Sequence, residues 1–100
     1  MLTGKQRAYL KSLAMEIEPT VYIGKNELTE NVLKEIDAYL AAHELVKVKI
    51  QEGSMLEPKH TANQCADALK AEFVQAIGRK FTLYRESKEN KQIFIPGKAK

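Results

Sequence analysis

Leu45-Val46-Lys47-Val48-Lys49-Ile50 limits what this chain can fold into more than any other stretch. Side chains alternate across a strand, so Val46, Val48 and Ile50 point one way while Lys47 and Lys49 point the other. The pattern is that of a half-buried strand with one face in water. A strand buried on both faces would read as a continuous apolar run instead. The flanking segments must therefore supply neighbouring strands and one apolar layer of helices.

They do so in alternation. Thr3 and Gln6 form a Thr-x-x-Gln capping box that opens a first helix, with Leu10, Leu13, Ala14 and Ile17 at helical spacing behind it. Pro19 stops that helix, because it lacks an N–H and biases its predecessor away from helical angles. Val21-Tyr22-Ile23 is a short β-prone run closed by Gly24. Thr29 then caps a second helix whose stripe is Val32, Leu33, Ile36 and Leu40, with Leu28 placed to staple onto Leu33. After the 45–50 strand, the stretch 51–60 reads as a loop. Thr61 and Gln64 offer another capping box, and Ala62, Ala66, Leu69 and Phe73 predict a third helix ending near Ala76. Gly78 punctuates, Phe81-Thr82-Leu83-Tyr84 alternates as a strand, and Ile93-Phe94-Ile95 predicts a last short one.

The predicted order is α-β-α-β-α-β-β, an α/β (α+β) two-layer sandwich. Its four-stranded mixed sheet carries all three helices on one face, with the 81–85 and 92–96 strands paired as a hairpin. Residues 1–97 are expected to form one domain and 98–100 a frayed basic tail.

Composition narrows the function. One hundred residues support a single core, and 44% hydrophobic with 29% charged residues argues against global disorder. Cys65, His43 and His60 supply neither a disulfide framework nor metal-ligand spacing. Cys65 lies beside the apolar stripe of the third helix, where a thiol is a filler rather than an activated nucleophile. Glu16/Glu18 and Glu35/Asp37 diverge around their helices and form no acid–base pair. No phosphate-loop, dinucleotide or nucleophile-elbow motif is present. The expectation is a non-enzyme with no cofactor, no metal and no small-molecule substrate. No apolar run approaches the ~20 residues of a membrane helix. Residues 1–11 lack the apolar segment of a secretory signal, so a cytoplasmic monomer with no membrane partner is expected.

The net charge of +3 is unevenly spread. Residues 1–78 hold nine Lys/Arg against eleven Asp/Glu, or −2, whereas 79–100 hold seven against two, or +5. Such asymmetry suits a surface facing a polyanion, or a basic tail. Gly24-Lys25-Asn26-Glu27 joins a strand to a capped helix whose free N–H groups favour an anion, although a glycine there also simply makes a turn. Lys47 and Lys49 stand about 7 Å apart on the wet face, a spacing that suits successive phosphates; lysine equally keeps an exposed sheet soluble. Arg79 and Lys80 follow Gly78 at the entrance to a strand. Thr82 and Tyr84 take the phase opposite Phe81 and Leu83, which makes Tyr84 a stacking platform beside the Arg85 guanidinium.

Four ordered motifs carry a family resemblance. They are Leu2-Thr3-Gly4-Lys5-Gln6-Arg7 with Leu10-Lys11-Ser12-Leu13-Ala14; Pro19-Thr20-Val21-Tyr22-Ile23-Gly24-Lys25-Asn26 followed by Leu28-Thr29-Glu30; His43-Glu44-Leu45-Val46-Lys47-Val48-Lys49; and Val74-Gln75-Ala76-Ile77-Gly78-Arg79 with Leu83-Tyr84-Arg85. Together, over residues 2–96, they resemble the YhbY-like proteins, stand-alone copies of the CRM domain (chloroplast RNA splicing and ribosome maturation). The resemblance implies an RNA-binding domain with a KH-like Gly-x-x-Gly loop. It also implies a fold similar to the C-terminal domain of translation initiation factor three. Bacterial stand-alone members are associated with precursors of the large ribosomal subunit, so the implied partner is ribosomal RNA of that particle.

Joined to the residue patterns above, this gives an expected RNA-binding set of Gly24, Lys25, Asn26, Lys47, Lys49, Arg79, Lys80, Tyr84 and Arg85. Glu27 stands where the family has its second glycine. Its carboxylate favours the helix dipole but repels phosphate, which shifts the expected contact from the loop towards the sheet face and the 79–85 strand. The competing expectation is a protein-interaction adaptor that docks on a ribosomal protein or assembly factor. The −2 balance of residues 1–78 and Glu27 favour it.

Overall fold

The computed structural model describes residues 2–24 and 28–93. Along the chain these form α1 (Gly4–Ala14), β1 (Val21–Ile23), α2 (Glu30–His43), β2 (Leu45–Ile50), α3 (Pro58–Leu69), β3 (Glu72–Ile77) and β4 (Lys80–Tyr84). The α-β-α-β-α-β-β order and the four-stranded mixed sheet are those expected. The strands lie in the order β1-β2-β4-β3, with β1 parallel to β2 and the other pairs antiparallel.

The first two helices start where their caps require. The Thr3 hydroxyl accepts from the Gln6 N–H at 3.1 Å while the Thr3 N–H donates to Gln6 Oε1 at 3.0 Å. Thr29 accepts from the Val32 N–H at 3.2 Å. The third helix begins earlier than expected: Glu57 is its N-cap, accepting from the Lys59 and His60 N–H groups at 3.0 and 2.8 Å, with Pro58 in the first turn. Those N–H donors, His60 before Lys59, hold the Glu57 carboxyl below its ordinary range. Thr61 is therefore not a cap but a buried residue inside the helix.

The third helix also ends earlier. Lys70 turns left-handed at φ 55° and closes α3, so the segment expected to continue it to Ala76 is β3. The hairpin is consequently β3–β4, not a pairing of 81–85 with 92–96. Gln92 and Ile93 lie outside any strand, and the rest of that expected strand, with the 98–100 tail, lies outside the described residues.

Helix placement differs too. α2 and α3 cover one face, where Ile36, Leu40, Ala62, Cys65 and Ala66 meet Val21, Ile23, Val46, Val48, Ile50, Phe81 and Leu83. α1 lies on the other face, where Leu10 packs with Leu2, Leu45, Val74 and Tyr84. The helices thus occupy both faces instead of one. Lys47 explains why its strand looked uncovered: the Nζ donates to the Ala14 and Ile17 carbonyls at 3.0 and 3.3 Å. A lysine that caps the end of a helix tolerates that helix above it.

Glu44 ties the C-terminal segment to this frame. It is fully buried, sits at φ 68° just after α2, and accepts three backbone N–H groups, from Ser87 at 2.7 Å, Gln92 at 2.6 Å and Ile93 at 2.7 Å. Burial alone would push its carboxyl up. The three donors, with the Lys91 charge, outweigh that and hold it below the usual value.

Candidate nucleic-acid interface

α1 covers only one end of its face of the sheet. Strand register shows what remains. Lys47 stands opposite Thr82, which stands opposite Gln75; in the next row Lys49 aligns with Tyr22 on β1 and with Lys80 on β4, and Lys80 with Ile77 on β3. The first row sits at the rim of α1, whose Lys47 is engaged. The second row, Tyr22–Lys49–Lys80–Ile77, runs across the whole sheet, about 14 Å at normal strand spacing. Tyr22 and Ile77 are 61% and 60% exposed. A groove of about 430 Å³ follows these rows, bordered by Met15 at the end of α1, Lys47, Lys49, Gln75, Ile77, Arg79 and Lys80, with Glu52 as its acidic member.

The sequence-predicted basic residues divide sharply here. Lys49 and Lys80 make no hydrogen bond or ion pair among the described residues, and they oppose each other directly. Like charges placed directly opposite across strands destabilise a sheet. Lys47 is occupied with α1. Arg79 donates through Nη2 to the Ser54 and Leu56 carbonyls at 3.1 and 3.4 Å, pinning that loop against the hairpin turn. It still borders the groove. Arg85 faces away from it, donating to the Asp37 carboxylate at 2.7 Å, the Asp37 carbonyl at 3.0 Å and the Leu69 carbonyl at 2.9 Å. Arg85 therefore ties β4 to both helices of the far layer.

Tyr84 does not provide the expected stacking platform. It is 2% exposed beneath α1, among Leu10, Leu45 and Val74, and burial holds its phenol above the ordinary range. The error follows from the same misplaced helix: the phase taken as wet is roofed at the Tyr84 end. Gly24 lies at the end of β1 without a positive φ, outside the lining of this groove, and Lys25, Asn26 and Glu27 lie outside the described residues.

Tyr22 is the exposed aromatic that sequence reasoning missed. Its signal was faint, because a three-residue strand is too short to show which phase faces water. Only the pairing of Tyr22 with Lys49 reveals it. Cys65 is fully buried, and burial pushes its thiol up to about 11, which disfavours the thiolate. No helix among the described residues is long and apolar enough to cross a membrane, and none of them cluster as metal ligands.

Residues 2–85 match the CRS1 / YhbY (CRM) domain. The chain is 38% identical over 96 residues to the Bacillus subtilis protein named "Probable RNA-binding protein YqeI", covering 96% of this chain and 100% of that one. It is 42% identical over 97 residues to a Haemophilus influenzae protein named "RNA-binding protein", covering 97% of each. Among solved structures, it is similar to the solution structure of the Staphylococcus aureus protein SAV1595, described there as a candidate RNA-binding protein. The TM-score is 0.82 at 46% identity, covering 96% of this chain and 100% of that one.

Proposed function

This chain belongs to the CRS1 / YhbY (CRM) domain family, and from that premise we propose that it is a non-catalytic RNA-binding protein whose partner is ribosomal RNA of the large-subunit precursor. The relatives are named for RNA binding. The observation that carries the proposal is the Lys49–Lys80 pair, two facing cations whose repulsion a bound anion would relieve. A sugar–phosphate backbone laid along the groove supplies that anion at regular intervals. Arg79 adds charge at one end. Affinity of this kind is mainly electrostatic and weakly dependent on sequence. The large-subunit partner is supported by the family resemblance, and the setting proposed is a cytoplasmic monomer, where buried Cys65 stays reduced.

A filter-binding salt titration tests the mechanism. Lys49→Ala/Lys80→Ala should make the log–log salt slope shallower by roughly one to two units. An unchanged slope removes the site. Crosslinking from cells should recover RNA of the large-subunit precursor. Association with that particle that survives complete RNA digestion would favour the adaptor instead.

A further inference from the structure

Lys49 borders two depressions. Besides the groove above, it lines a second of about 640 Å³ at the end of β1, together with Tyr22, Ile23, Gly24, Gln51 and Glu52. Tyr22 forms an open wall of it. The phenol hydroxyl donates to the Pro19 carbonyl at 3.2 Å, so the polar tip is satisfied within its own loop and the ring is held in place. The residue is 61% exposed and lines the depression.

Gln51 and Glu52 are exposed, and their side chains make no hydrogen bond or ion pair among the described residues. Their backbone is nevertheless fixed, since the Gln51 N–H donates to the Ile23 carbonyl at 2.8 Å. Gly24 lines the groove beside Gln51. A Cβ there would stand 3.7 Å from Gln51 Oε1, clashing with nothing but occupying space beside that amide. An aromatic face, a cation, a free amide and a free carboxylate thus share one open groove. A phosphate alone has no use for the carboxylate or the ring. A nucleobase uses all of these: its face stacks, its polar edge pairs with amide or carboxylate, and its phosphate meets the cation.

We propose that this groove holds one unpaired nucleobase, stacked on Tyr22 with its polar edge towards Gln51 and Glu52, while Lys49 takes the adjoining phosphate. The proposal rests on the RNA-binding function and specifies its ligand class. The RNA segment that crosses the sheet is single-stranded there, because a paired base inside a duplex has no free face. Tyr22 is a positioning aromatic, and Lys49 and Lys80 supply the charge.

The test uses the full chain, an oligocytidine of about eight nucleotides and a blunt RNA duplex of about 16 base pairs. Tyr22→Ala should weaken oligocytidine binding roughly tenfold with no change in salt slope, whereas Tyr22→Phe should stay within about twofold. An oligonucleotide carrying 2-aminopurine should be quenched by the unmutated chain and by Tyr22→Phe but not by Tyr22→Ala. If Tyr22→Ala binds oligocytidine like the unmutated chain while Lys49→Ala/Lys80→Ala binds more weakly, the base site is wrong and RNA binding stands. Tighter binding of the duplex than of the oligonucleotide also overturns it. If the unmutated chain binds neither RNA, the functional proposal itself falls.

Discussion

Glu44 combines complete burial with a left-handed backbone, two states that a glutamate rarely adopts. The three N–H groups it receives explain why both persist. Because its carboxyl is held below the ordinary 4.5, it adds stability that is fully present above that pH and is lost as acidification passes through the lowered folded value. Protection factors of the Ser87, Gln92 and Ile93 amides should therefore fall below about pH 4.5, before those of α2. Glu44→Gln should remove this pH dependence and cost about 1–3 kcal/mol at neutral pH in denaturant unfolding, since an amide cannot accept on both sides.

Lys47 and Lys49 look equivalent in sequence, and the structure separates them. Lys47→Ala should lower stability by about 1–2 kcal/mol through its two lost carbonyl bonds, yet leave the RNA salt slope nearly intact. Lys49→Ala should do the reverse. A shared phenotype for the two variants would contradict the assignment.

Among the elements, α1, β1, α2 and β2 were legible because each carries a local signal: a cap, a proline stop or an alternation. The α3–β3 boundary was not. Phe73 continues the spacing of Ala62, Ala66 and Leu69, so the helical pattern runs past the true end. The stop itself is Lys70 in the left-handed region, a position usually marked by glycine. β3 hides its own alternation as well. Phe73 packs towards α2 and α3 while its neighbour Val74 packs under α1, with a register shift between Phe73 and Gln75. A strand covered on both faces loses the period of two.

Gly78 was legible as a break, but between a helix and a strand; with 72–77 a strand, it lies in the β3–β4 hairpin turn. Gly78 is at φ +60° as the first of two connecting residues, and Arg79 is not positive, the pattern of a type II′ hairpin. A Cβ at Gly78 would meet nothing within 4 Å, so only backbone strain opposes it. Gly78→Ala should thus cost about 1–2 kcal/mol in thermal unfolding, and Gly78→Asn less.

Across the whole molecule, the structure redistributes the cations that the charge map had grouped by position along the chain. The +5 of residues 79–100 includes Arg85, which is spent on Asp37 and the end of α3. Among the described residues, the cations left unengaged on the open sheet are Lys49 and Lys80, one from each side of the division drawn in sequence. Distance along the chain does not report which charges meet; strand register does. The basic sheet face of the proposed site was legible in the alternation of Lys47 and Lys49, whereas placing Tyr22 beside it required knowing the β1–β2 register and which end α1 covers.

The two apolar layers are separate clusters joined through the sheet, and the α1 layer is the smaller. Native-state exchange should release α1 amides at lower free energy than those of α2 and α3. Leu10→Ala, which empties a fully buried position, should widen that gap while costing about 2–5 kcal/mol.

The end of α1 at Ala14 has a further consequence. One more helical turn would advance it about 5.4 Å, close to the about 7 Å that separates the Lys47 row from the Lys49 row. The first helix acts as a shutter stopped halfway, and under the proposed RNA-binding function its length would set how much of the sheet a nucleic acid can reach. Relatives with a longer or shorter opening helix should accordingly differ in footprint, even where every lysine of the sheet is kept.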